Sequence, residues 1–337
     1  MTSSTRLGGF KVLDRMEGFS LLLPKGLENL PVLLCKAVTR EMINLTYLTL
    51  ISHNSAWGIV AVVESSQRQD MLGVIEENFG SKFRQLQNIA ILSIFPHKKN
   101  PEITGNLIEA LGDKDLVPYS LANSPSAVSI ILREEFITKA GRALFKPFTF
   151  SAYRTPADWK LAQQGKEELH KEVIATYQEQ KPKVYGLEYI ENQGLVKLRL
   201  KNGGLRQFGS AFKEFAQLNI NLTFSTTVPF KEDQDILAFC LPDNKEDTYL
   251  EVINMVVPGT DIENYSPVTV FSMNGPHFGD RYGIVCEILS NFDEKKIELL
   301  GLSCTIASIT GVVPSSQTEA AIQTIQDCFD VPAVYKK

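Results

Sequence analysis

The chain has 337 residues, 44% of them hydrophobic, and a formal net charge of −5. That length exceeds one ordinary core and predicts roughly two to four domains, while the acidic balance and the lack of a dense basic tract exclude a sequence-independent nucleic-acid surface, which needs clustered Lys and Arg to displace counterions. No apolar run approaches the roughly 20 residues that span a bilayer and the N-terminus lacks the apolar core of a signal peptide, so a cytoplasmic protein with no membrane partner is expected.

After a short polar tail, Phe10 to Asp14 and Phe19 to Leu23 read as two strands. Asn29 is placed to cap a helix with Pro31 in its first turn, and Leu33, Leu34, Ala37, Val38 and Met42 supply its buried stripe. Leu45 to Ser52 and Trp57 to Val63 form a hairpin across His53-Asn54-Ser55, and Met71, Val74, Ile75 and Phe79 make the next helix face. A second unit starts with the strand Ile89 to Phe95 and passes through Pro96-His97-Lys98-Lys99. It enters a helix at Asn100-Pro101-Glu102, where the Asn side chain can accept a free N–H. Ala127 to Leu132 is its next strand and Phe136 to Leu144 a short helix. Thr155-Pro156-Ala157-Asp158 then opens a charged helix with a thin apolar stripe of Leu169, Val173 and Tyr177, a connector without chemistry.

The second half runs in the same order: Val184 to Ile190 and Leu195 to Leu200 as strands, Asn202-Gly203-Gly204 as a loop, and Phe208, Ala211, Phe212 and Phe215 as a helix face. Strands at Leu222 to Val228 and Ile236 to Leu241 and a helix near Asp247 to Val257 follow. The last unit has a strand at Val268 to Met273, a loop at Asn274 to Tyr282, and a helix face of Ile284, Val285, Ile288, Leu289 and Phe292. Strands near Ile297 to Thr305 and Ala307 to Val313, then a helix from about Ser316 to Phe329, complete it.

An echo ties the halves together. Ile43-Asn44-Leu45-Thr46-Tyr47 returns as Ile220-Asn221-Leu222-Thr223-Phe224, 177 residues later, and the same offset relates Gly26 to Gly203, Lys36 to Lys213 and Gly9-Phe10 to Gly186-Leu187. A spacing that survives in both directions from its seed marks a duplication. The expected fold is α+β, with four ferredoxin-like βαββαβ modules in two tandem pairs: 1–88, 89–150, 183–262 and 263–337, with a linker helix at 151–182. Their edge strands are expected to pair side by side into larger sheets.

This order of motifs resembles the paired ACT domains that form the regulatory end of aspartate kinases. Gly186-Leu187-Glu188-Tyr189-Ile190, Ile220-Asn221-Leu222-Thr223, Leu121-Ala122-Asn123-Ser124-Pro125, and Ile297-Glu298-Leu299-Leu300 through Ser303-Cys304-Thr305 carry the likeness. Two departures stand out. Thr104-Gly105, Phe208-Gly209 and Tyr282-Gly283 occupy the place of the family's Pro-Gly helix opening, and Thr46 and Thr223 stand where an Asp often holds the ligand's ammonium group. Because there is neither room for a kinase lobe of roughly 250 residues nor its Lys-Phe-Gly-Gly opening, the resemblance implies a duplicated regulatory region without a kinase domain, and no enzyme.

The loop Gly275-Pro276-His277-Phe278-Gly279-Asp280-Arg281-Tyr282-Gly283 is the richest candidate site. It offers a helix N-terminus for a carboxylate, Asp280 either as helix cap or for an ammonium group, and glycines that let a ligand approach the backbone. The resemblance adds Lys25 and Gly26 with Leu45 and Thr46, and their counterparts Asn202 and Gly203 with Leu222 and Thr223. Cys35, Cys240, Cys286, Cys304 and Cys328 form an odd set without Cys-x-x-Cys and are expected to be reduced and mostly buried; the four histidines share no metal-ligand spacing with them, so no metal and no cofactor is expected. The resulting expectation is a non-catalytic sensor, itself a homo-oligomer, that binds an amino-acid effector at inter-module clefts and changes module arrangement. The alternative is a ligand-free ACT-fold interaction module docking on an amino-acid biosynthetic enzyme or regulator.

Overall fold

The computed structural model describes residues 4–26, 29–53, 56–80, 83–163, 181–201, 204–231, 234–275, 282–305 and 308–337. In the first half β1 (Thr5–Leu7) and β2 (Gly9–Pro24) lead to α1 (Leu30–Arg40), β3 (Tyr47–His53), β4 (Ala56–Glu64) and α2 (Arg68–Phe79). Then come β5 (Phe83–Phe95), α3 (Pro101–Gly112), β6 (Ser120–Asn123), β7 (Val128–Arg133), α4 (Ile137–Leu144), β8 (Phe148–Phe150) and α5 (Pro156–Gln163). The second half has β9 (Gly186–Lys201), α6 (Leu205–Gln217), β10 (Phe224–Lys231), β11 (Gln234–Pro242) and α7 (Glu246–Val256). It ends with β12 (Ile262–Asn274), α8 (Ile284–Glu294), β13 (Gly301–Thr305), β14 (Ser308–Pro314), α9 (Thr318–Cys328) and β15 (Val334–Lys336).

The fold is mixed α/β, built on a 13-stranded sheet in the order β11-β10-β6-β7-β5-β2-β4-β3-β13-β14-β12-β9-β15. Since β11 also pairs with β9, the strands other than β15 close into a ring. Helices α1, α2, α8 and α9 share one core on its outside with residues such as Leu34, Met71, Ile288 and Ile325, and α3, α4, α6 and α7 share another with Leu107, Leu144, Phe212 and Ile253. Two smaller clusters fill the inside, one around Ile51, Phe224, Ile236 and Val312, the other around Tyr47, Val62, Ile91 and Ile131. β3 shows the logic: Leu48 and Leu50 face the helices and Tyr47 and Ile51 the interior, so the whole strand is buried, apolar on both faces of its pleat.

Neighbouring units share strands. β2 is one strand where two were expected, with register shifts between Leu13 and Gly18; Met16–Pro24 pairs with β4, while Gly9–Leu13 lies along Ile91–Phe95 of β5. The expected boundaries at 88/89 and 262/263 fall inside β5 and β12. Asn100 caps α3 as expected, accepting the Glu102 N–H at 2.9 Å. Asn29 does not cap α1, because its amide is turned away to donate to Asp293 at 2.9 Å. Residues 164–180, including the whole expected linker stripe of Leu169, Val173 and Tyr177, lie outside the described residues.

The echoed pentapeptide has a local cause. Met42, Asp115, Asn219 and Lys296 adopt φ between 54° and 55° just past α1, α3, α6 and α8. The next residue in each case, Ile43, Leu116, Ile220 or Ile297, donates its N–H five residues back, to Val38, Leu111, Phe215 or Phe292, at 2.7–3.0 Å. That bond and the buried apolar residue that makes it are a Schellman exit, which satisfies helix carbonyls and aims the chain into the next strand.

Candidate functional site

α1 lies against α8 and α3 against α6, so each crossing joins one half of the chain to the other. The α1/α8 crossing leaves two clefts. The larger, of about 160 Å³, is lined by Lys25, Asn29, Pro31, Ser52 and Trp57 from the first half and by Leu289, Phe292, Asp293, Ile297, Glu298 and Leu299 from the last unit. Lys25 donates to the Ser52 hydroxyl and its ammonium lies 5.4 Å from the Trp57 ring centroid. Burial, then the charge of Lys197, pulls the Lys25 ammonium below its ordinary value, against Glu298 and Glu263. A cation, two carboxylates and an aromatic wall on one small cleft suit a zwitterion.

The smaller cleft, of about 20 Å³, sits under the last unit's helix opening and is lined by Cys35, Thr39, Ile43, Leu45, Tyr282, Gly283, Cys286 and Cys304, among others. Gly283 has φ +86°, which favours glycine, and a Cβ there would meet the Thr39 methyl at 3.2 Å. Burial holds the Cys35 thiol far above its usual value and pushes Cys304 up to about 12, so both stay protonated. All five cysteines are free, and among the described residues no group of three His, Cys, Asp or Glu is placed to hold a metal.

The α3/α6 crossing is closed. A Cβ on Gly105 would lie 2.6 Å from the Gly209 carbonyl oxygen and 2.8 Å from Lys213 Cγ, so the two backbones touch where each lacks a side chain. Ion pairs flank the contact, Lys213 to Glu109 at 2.9 Å and Arg206 to Asp115 at 3.2 Å. Beyond its end, the Leu222 N–H donates to the Lys99 carbonyl at 2.9 Å.

Beside Lys25, a half-buried ionic network crosses the halves. Arg199 donates to His53 Nε2 at 3.2–3.3 Å, and since a guanidinium only donates, Nε2 is the acceptor and Nδ1–H faces Glu263 Oε2 at 2.8 Å. Glu263 also takes the Lys197 ammonium, at 2.9 Å. Burial raises the Glu263 carboxyl, but the Lys197 bond and the charges of Lys197, His53 and Lys25 outweigh it and hold it low; burial keeps His53 neutral.

Of the sequence-predicted site residues, Leu45, Tyr282 and Gly283 come together in the small cleft and Lys25 lines the larger one, next to Gly26. Thr46 and Thr223 are buried and spend their N–H groups on Val62 and Cys240, at 2.9 and 3.1 Å. The Thr223 hydroxyl donates to Gln193 at 3.1 Å, and Leu222 is wholly buried at the closed crossing. His277, Phe278, Gly279, Asp280, Arg281, Asn202 and Gly203 lie outside the described residues. Gly105 and Gly209, read as helix openings, sit inside α3 and α6 as contact points. Sequence reading missed Ser52, Trp57, Asp293 and Glu298, whose meeting depends on the β3–β13 pairing. The available signal was that Ile297-Glu298 repeats the Ile43-Asn44 exit.

No protein-family model matches the sequence, and no curated protein matches it either. Among solved structures, an aspartate kinase from Synechocystis superposes with a TM-score of 0.79 at 14% identity, over 96% of this chain and 56% of that one. The ligand-free regulatory subunit of aspartate kinase from Thermus thermophilus matches with a TM-score of 0.39 at 13% identity, over 44% of this chain and 99% of that one. Aspartate kinase from Clostridium acetobutylicum gives a TM-score of 0.38 at 14% identity, over 46% and 37%. At these identities the likeness is one of fold, and the chain spans just over half the length of the Synechocystis kinase.

These matches correct three expectations. The expected likeness was to a regulatory region without its kinase, yet 96% of the chain superposes on an aspartate kinase. A free-standing non-catalytic sensor, with a docking module as its alternative, was expected, and so was the absence of an enzyme. The structure that nearly the whole chain follows is that of an enzyme. On membranes, no helix among the described residues is long and apolar enough to cross one.

Proposed function

We propose that the chain works as part of an aspartate-kinase-type enzyme, in which an amino acid held at the α1/α8 crossing tunes phosphoryl transfer to aspartate. The observation that carries this is the fold match to an aspartate kinase over 96% of the chain, with a TM-score of 0.79. Because that match spans 56% of the kinase, the transfer itself is assigned to the enzyme as a whole and not to residues of this chain. We read the architecture as four ferredoxin-like, ACT-like modules that share β2, β5, β9 and β12. Lys25 and Ser52 would take the effector's carboxylate and Asp293 and Glu298 its ammonium group, with Leu45, Tyr282 and Gly283 closing the companion cleft. Self-association belongs to the same reading.

The test is aspartate-dependent ADP release from ATP, measured with the purified chain and with the chain mixed with the catalytic lobe of an aspartate kinase, against each of the common amino acids. Release that changes with one of them, and loses that response in Lys25→Met, supports the reading. No release from the chain, together with a lobe whose rate ignores it, would overturn it.

A further inference from the structure

The two helix crossings descend from the same repeated unit, and one position in it accounts for their difference. Gly105 lies eleven residues before the exit residue Leu116, and Gly209 eleven before Ile220. The residues eleven before the other two exits, Ile43 and Ile297, are Val32 and Cys286. Where both positions are glycine the backbones touch, a Cβ on Gly105 having only 2.6 Å to the Gly209 oxygen. Where they carry side chains, α1 and α8 stand off and clefts of about 160 and 20 Å³ remain. The spacing is matched by the surroundings: a Cβ on Gly112 would meet Arg206 Cγ at 2.8 Å, and the equivalent pair Thr39 and Gly283 approaches in the same way.

We infer that the α3/α6 crossing is a fixed seam that admits no ligand, and that small-molecule binding and the motion it drives belong to the α1/α8 crossing alone. The ligand half of this statement rests on the function proposed above; the mechanical half does not. Glu109–Lys213 and Asp115–Arg206 flank the seam at its surface, and the Leu222-to-Lys99 backbone bond ties the chain beyond its end. At the α1/α8 crossing one bond spans the helices, from the Asn29 amide to Asp293 at 2.9 Å, while Lys25, Ser52 and Glu298 line the larger cleft. Any effector thus meets one responsive pair held against one rigid pair, and its binding energy goes into the orientation of α1 and α8 rather than being divided over both crossings.

Hydrogen exchange on the full chain without ligand decides the mechanical half. Amides of α3 and α6 should exchange at least about tenfold more slowly than those of α1 and α8; equal or reversed protection overturns the inference. The ligand half is read from thermal unfolding against the twenty amino acids. A shift that Lys25→Met abolishes and Lys99→Met leaves intact supports it, and a shift lost in Lys99→Met but kept in Lys25→Met overturns it. A flat response to all twenty counts against the proposed function, and the exchange contrast still decides whether α3/α6 is a seam.

Discussion

His97 has no exposed surface, and its surroundings fix its proton. The Ser225 N–H can only donate, so the Asn123 atom it meets is Oδ1, which leaves Nδ2 to donate to His97 Nδ1 at 3.5 Å. His97 Nε2–H therefore donates to the Thr104 hydroxyl at 3.0 Å. Burial lowers the imidazole to about 3, outweighing hydrogen bonds to the backbone of Ser124 and Asn100 that raise it. A lowered histidine costs nothing above its unfolded value near 6.5 and destabilises the folded state as the pH falls from there toward 3. By pH 5 the loss is about 2 kcal/mol. Urea unfolding at pH 7 and pH 5 should show that difference largely gone in His97→Gln, and an unchanged pH dependence would show that the ring is not the titrating group. None of this was legible in the sequence, where Pro96-His97 reads as a loop signal; the ring is buried because Asn123 and Thr104 close over it.

At the scale of elements, the sequence spoke where a rule is local. The Asn100 cap, the Thr155/Asp158 capping box, with bonds of 2.9 and 3.2 Å, and the apolar faces of α6 and α8 all lie where their patterns put them. Asn29 failed because a partner 264 residues away in the chain claimed its amide. Gly105 and Gly209 failed because a glycine that opens a helix and one that lets a second helix in look alike in sequence; only the crossing tells them apart. The contrast is measurable. Gly105→Ala must push α6 back and should cost about 1–3 kcal/mol, whereas Gly73→Ala in α2, with nothing within 4 Å of the new methyl, should gain up to about 1 kcal/mol from helix propensity. Denaturant midpoints that moved alike in the two variants would contradict the close contact.

The whole molecule is held by pairings between its halves. β3 meets β13 over Leu48–Ile51 and Gly301–Cys304, while β6 meets β10 at one backbone pair, Thr226 with Ala122. Side chains complete the thinner seam: the Leu121 N–H donates to the Thr227 hydroxyl at 2.8 Å, the Ser120 hydroxyl to the Thr227 carbonyl at 2.9 Å, and the Thr226 hydroxyl to the Leu121 carbonyl at 3.0 Å. A protease site inserted between residues 164 and 180 should therefore yield fragments that stay together on gel filtration and unfold in one transition, while either half made alone exposes strand edges and precipitates. Fragments that separate after cutting would mean that the cross-half seams are weaker than their bonding implies. The echo at Ile43 and Ile220 revealed the two halves; it could not reveal that their strands close into one ring, since closure between the halves depends on the β3–β13 and β6–β10 pairings of distant segments.

The shared strands also limit how such a gene can change. β2 serves β4 over Met16–Pro24 and β5 over Gly9–Leu13 and again over Met16–Leu21, and β9 likewise serves both β11 and β12. Copying or deleting one quarter of the coding sequence would leave its neighbour short of a strand, and a one-codon slip between Leu13 and Gly18 would turn one stretch of β2 inside out relative to the other. Only a stretch of DNA encoding a whole half is a viable passenger in recombination, and the 177-residue echo has that length.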